Sequence, residues 1–123
     1  MKEPRKTILF WCPRILSILF AAFITLFALD VFEEGYALGE LLVALFIHLI
    51  PTFLIIIAII IGWKREWIGA ILFVGLAIFY VGMTAFRMHW TVYLVIPLPL
   101  LIISILYLLS WKQTEKYKRS LAL

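Results

Sequence analysis

The stretch Leu41–Trp63, LLVALFIHLIPTFLIIIAIIIGW, contains no Asp, Glu, Lys or Arg. As a helix rising 1.5 Å per residue it spans roughly 34 Å, enough to cross a bilayer. It is lopsided. His48, Pro51 and Thr52 lie in its first half, and Leu54 to Ile61 is almost pure Leu and Ile. The rest of the chain reads by which end of this helix it lies beside.

The chain has 123 residues, of which 66% are hydrophobic and 15% charged. Its mean hydropathy is +1.13. A soluble domain is about half apolar and a quarter charged. A chain of this size cannot hide so much Phe, Ile and Leu from water, so lipid is the expected solvent and one domain, residues 1–123, the expected organisation. The net charge of +4 does not point to nucleic acid, because the basic residues cluster between apolar runs, where topology accounts for them. Cys12 is the single cysteine, so no intrachain disulfide can form.

Four spans are expected, at about 13–32, 41–63, 68–86 and 91–111. The first run could pass for a signal peptide, since Met1 to Lys6 is basic. Asp30, Val31 and Phe32 follow it, however, where a small-x-small cleavage site would be needed, so it reads as a retained helix. Trp11 and Pro13 mark the membrane entry, and Arg14 is expected to snorkel back to the headgroups. Ser17, Ala21 and Thr25 recur every four residues and form a small-residue stripe for close helix packing. Gly75 and Gly82, seven apart, form a similar edge on the third helix. EEGYALGE, residues 33–40, is a short acidic loop, and Trp63 to Trp67 is a tight turn.

Basic residues set the orientation. Lys2, Arg5, Lys6 and Arg14, then Lys64 and Arg65, then Lys112, Lys116, Lys118 and Arg119 all fall on one side, and Arg87 alone on the other. The reading is therefore an all-α membrane protein. It is a four-helix transmembrane bundle of up-down topology, integral to the cell membrane with both termini cytoplasmic.

Polar chemistry is expected in the outer half. Asp30 lies roughly 5 Å deep, His48 roughly 12 Å and Tyr80 roughly 10 Å. Thr52, Tyr80 and Arg87 complete the candidate polar site around Asp30 and His48. An ionisable group in a span is costly and therefore a functional candidate. The plainer alternatives stand beside it: Asp30 reaches water or pairs with Arg87, and His48 finds a hydroxyl or carbonyl on a neighbouring helix. Pro51 removes a donor to the carbonyl of Ile47 and should bend the second helix. No metal-ligand spacing recurs, and there is no phosphate loop, no Ser-His-Asp arrangement and no CxxC. No catalytic residue, metal or cofactor is expected.

Trp11-Cys-Pro-Arg14, Leu26-Phe-Ala-Leu-Asp30-Val-Phe32 and His48-Leu-Ile-Pro51 resemble segments of a family of small prokaryotic membrane proteins classed as a domain of unknown function. The likeness runs from Trp11 to Trp111. It implies that Asp30 and His48 sit in recognisable motifs, and it brings no activity or cofactor. The four-span architecture is also similar to that of the small multidrug exporters. Those carry a membrane-embedded Glu in helix 1, where this chain has Ser17, Thr25 and a shallow Asp30. The expected role is that of an accessory or structural membrane protein, working through contacts in a homo-oligomer or larger membrane complex. A small transporter or outward-facing binding protein using Asp30 and His48 is the alternative.

Overall fold

A computed structural model describes residues 3–84, 87 and 89–122. Lys2, Met88 and the expected end of the third helix at Phe86 lie outside the described residues. A 3-10 turn, Pro4–Lys6, leads into α1, Ile8–Ala28, which continues as a 3-10 segment over Leu29–Glu33. Then follow α2, Leu38–Lys64; α3, Glu66–Thr84; a short α4, Trp90–Val95; and α5, Pro97–Ala122. The segments Ile8–Glu33, Leu38–Lys64, Glu66–Thr84 and Trp90–Ala122 are long and apolar enough to cross a membrane.

Local chemistry explains where these helices begin and end. The Thr7 hydroxyl accepts from the Phe10 amide at 3.3 Å, an N-cap that starts α1 five residues ahead of Pro13. Pro13 is thus an internal residue. Gly35, with φ at 73°, makes the left-handed turn between the first two spans. One residue, Arg65, separates α2 from α3, so the expected turn of Trp63 to Trp67 is mostly helix. The fourth span is interrupted at Ile96, and Pro97 then takes the first position of α5, where its missing amide costs nothing. α5 continues to Ala122, eleven residues beyond the expected end at Trp111.

The four spans pack as a ring. α1 lies against α2 and α5, and α3 lies against the same two. Gln113 on α5 donates to Thr7 at the head of α1 at 3.0 Å, so both chain ends lie at one end of the bundle, the terminal end. The other is the loop end. Phe20 and Ile24 of α1, Ile55 and Ile59 of α2, Phe73 of α3, and Ile103 and Tyr107 of α5 form the core. Phe73 and Tyr107 stack with centroids 5.6 Å apart.

Packing is tightest toward the terminal end. A Cβ on Gly62 would stand 2.7 Å from the Gly69 Cα, and one on Gly69 would stand 3.0 Å from the Gly62 Cα. These two glycines let the α2 and α3 backbones meet directly. Toward the loop end the contacts loosen. No residue from Leu38 to Pro51 is buried, and no described residue of α3 beyond Ala77 is buried.

Candidate functional site

Among the described residues the buried polar side chains gather mostly in the terminal half, away from the expected site. The buried polar side chains are Arg14, Ser17, Thr52, Glu66, Ser104 and Ser110, and apart from Thr52 they lie in the terminal half. Arg14 does not snorkel outward. It is 1% exposed and Glu66 is 5% exposed. Their Nη1 and Oε2 atoms are 3.7 Å apart. A buried guanidinium or carboxylate costs several kcal/mol in lost hydration unless its partners are in place, so the partners matter.

Each partner follows from the helix ends. Because α2 stops at Lys64, the carbonyls of its last turn lack helical donors. Arg14 Nη2 donates to one of them, the Trp63 oxygen, while Nη1 donates to the Phe10 oxygen. The cation thus sits at the negative pole of α2. Glu66 is the first residue of α3, so its carboxylate sits at the positive pole of that helix. The one-residue junction at Arg65 brings the two poles together, and the ion pair satisfies both. From α5, Ser110 donates to Glu66 Oε2, and Thr114 donates to Oε1 at 2.9 Å. Ser110 and Thr114 are four residues apart on one helical face. The guanidinium carbon lies 3.6 Å from the Phe10 ring centroid, a cation–π contact. One cluster therefore ties α1, α2, α3 and α5 together. Arg14 Nε and the Tyr107 hydroxyl, both enclosed, have no hydrogen-bond partner among the described residues.

Above this cluster a cavity of about 820 Å³ opens at the terminal end. Arg14 and Glu66 line its inner part, and Glu3, Arg5, Lys64 and Lys118 lie around its mouth.

No ion pair or hydrogen bond joins Asp30 to His48 among the described residues, and both are exposed. On sequence grounds His48, like Asp30, should face the bundle interior or a cavity open to the outside. Its helical phase is close to that of buried Thr52 and Ile59, but it lies in the stretch of α2 from Leu38 to Pro51, where no residue is buried. The ring instead donates Nδ1–H to the Ala44 carbonyl of its own helix at 2.8 Å. Neither Asp30 nor Arg87 makes an ion pair among the described residues, and Arg87 is exposed. Thr52 is buried and lies 3.1 Å from the Thr25 hydroxyl. Thr25 gives its hydrogen to the Ala21 carbonyl, so Thr52 is the donor between the two hydroxyls. Tyr80 is half-buried, edge-on to Tyr93 at 6.3 Å. His48→Leu is accordingly expected to leave stability within about 0.5 kcal/mol of the parent, as for other exposed substitutions. A melting comparison in detergent that showed a loss of several kcal/mol would refute this.

The small-residue faces divide. Ser17 and Ala21 are buried and Thr25 is half-buried beside α2. Gly75 and Gly82 do not meet a helix of this chain. Both are exposed, with nothing within 4 Å of where a Cβ would stand. The reason is phase. At 100° per residue they lie about 180° from Phe73, which faces the core.

The Arg14–Glu66 pair escaped the sequence reading because each residue taken alone is a charge near a helix end. The sequence trace is slight: Ser110 and Thr114, two hydroxyls at i and i+4, put a pair of donors on one face of the last helix, but such hydroxyls can equally bond to carbonyls of their own helix.

A family model described as a domain of unknown function (DUF7670) matches residues 1–121, and the chain belongs to that family. No curated protein and no solved structure matches the chain.

Proposed function

We propose that this member of the DUF7670 family is an accessory or structural protein, integral to the cytoplasmic membrane of a prokaryotic cell, that works through helix contacts with a second membrane chain. The observation that carries this reading is the outward edge of α3. Glycine in a helix interior costs about 1 kcal/mol relative to alanine, and in a span it is offset where backbones approach closely. Gly62 and Gly69 make such an approach inside the chain. Gly75 and Gly82 make none, and their edge is open to another helix. A second copy of the chain, or a larger complex, would cover it. The basic bias of the terminal end supports placing both termini in the cytoplasm.

Disulfide trapping in native membranes tests the reading. In a Cys12→Ser background, a cysteine replacing Gly75 or Gly82 should give a cross-linked species, either a dimer or a conjugate with a partner. Cysteine at Ile60, which is exposed on α2 without a glycine neighbour on its face, should give far less. A chain that stays monomeric from both glycine positions overturns the proposal.

A further inference from the structure

The cavity above the Arg14–Glu66 pair has a chemistry that the helix-contact reading does not use. Arg5, Lys64 and Lys118 lie at its mouth, and all three are exposed. The opposing charge at the mouth is Glu3. Deeper in, the Glu66 carboxylate is engaged by Arg14, Ser110 and Thr114, so it offers little attraction to a cation. Lys118 is 3.9 Å from Glu115 in an exposed pair on its own helix, a contact too weak to hold it there. The mouth therefore carries a surplus of cations, three against one, around about 820 Å³ of space. Arg14 lies at the inner end of this cavity, held in its pair with Glu66.

A second hollow continues from the first. It holds about 520 Å³ and shares Arg5 and Trp11 with the cavity. It runs down the outward face of α1 past Ile8 and Ile15 to Leu19, all exposed. From Trp11, at the membrane entry, to Leu19 is eight residues of helix, about 12 Å, most of the hydrocarbon depth of one leaflet, half of roughly 30 Å. The Trp11 indole donates to the Arg5 carbonyl at 2.8 Å, which holds the basic turn at the head of this groove. Tryptophan at that depth favours the membrane interface.

A charged cavity and an apolar groove that reaches most of the way through one leaflet, meeting at one tryptophan, match a single molecule. We infer that this end of the protein binds an anionic phospholipid, with its phosphate headgroup between Arg5, Lys64 and Lys118 and one acyl chain along Ile15 and Leu19. A free phosphate compound would use the cations and leave the groove unused. A zwitterionic lipid would fill the groove and gain little from the surplus charge.

Native mass spectrometry of the full chain in detergent tests this with phosphatidylglycerol, phosphatidylcholine and inorganic phosphate as probes. Phosphatidylglycerol should bind at least fivefold more tightly than phosphatidylcholine. The double variant Lys64→Gln, Lys118→Gln should lose about 25-fold in phosphatidylglycerol affinity, about fivefold per cation near the surface, with phosphatidylcholine unchanged. Both lysines are exposed, so the fold should survive, as a helical melt would verify. Ile15→Trp, which fills the groove, should weaken phosphatidylglycerol binding as well. Equal affinity for the two lipids, or no loss in the lysine variant, overturns the assignment. So does full displacement of the lipid by inorganic phosphate together with indifference to Ile15→Trp, the behaviour of a site for free phosphate.

Discussion

Glu66→Leu is expected to destabilise the fold by about 3–5 kcal/mol, the cost of leaving a buried partner charge without its counterpart. Arg14 is 1% exposed, and without Glu66 its guanidinium keeps the Phe10 and Trp63 carbonyls but no anion. Arg14→Leu should cost about as much, because the Glu66 carboxylate then keeps only two hydroxyl donors. The double variant Arg14→Leu, Glu66→Leu should recover most of the loss. Two leucines remove both charges, and replacing a buried pair by apolar side chains is often close to neutral. The recovery will be incomplete, since Ser110 and Thr114 lose their acceptor. Unfolding free energies of the two singles and the double in the same bicelles close the cycle. A double variant as unstable as the sum of the singles would show that the pair is not coupled, and the account of the cluster as one unit would fail.

Gly62→Ala is the second large effect. Its new methyl would stand 2.7 Å from the Gly69 Cα. That contact is with backbone, so no side chain can swing away, and α2 and α3 must separate. Overpacking of this kind costs about 1–3 kcal/mol. Gly69→Ala meets both the Gly62 Cα at 3.0 Å and the Tyr107 ring at 3.2 Å. It should fall in the same range, because Tyr107 is fully buried and stacked on Phe73. Gly75→Ala is the control within the same helix. Nothing lies within 4 Å of its would-be Cβ, so the isolated chain should be unchanged or more stable by up to about 1 kcal/mol. Melting temperatures of the three variants in a detergent that keeps the chain monomeric will rank them. Equal losses at Gly62 and Gly75 would contradict the packing described.

The contrast between these glycines shows what spacing in a sequence can convey. Gly75 and Gly82 stand out as a heptad pair within one helix, so they are legible as an edge. The direction of that edge depends on which face Phe73 and Ala77 bury, and that depends on α2 and α5. The functional pair of glycines inside the chain, Gly62 and Gly69, straddles a helix junction and has no single-helix signature. His48 repeats the lesson in the opposite sense. Its phase relative to Thr52 is inward, yet it is exposed, because the burial along that face stops at Thr52 and no residue from Leu38 to Pro51 is buried.

Hydropathy is a local property, and length and composition alone determined the four spans and the all-helical class. The need to satisfy every backbone amide and carbonyl in lipid leaves an apolar run of 23 residues almost no other form. The basic residues around the spans group the two chain ends with the α2–α3 junction, and these lie together at the terminal end of the bundle. The tertiary structure alone decided the fate of Arg14 and Glu66. They are 52 positions apart, each near the terminal end of its own helix, where a charge that snorkels and a charge that turns inward look the same in sequence. What separates the two outcomes is the presence of an opposite charge, two hydroxyls and two helix poles within a few ångströms, and that proximity exists only once four helices have packed.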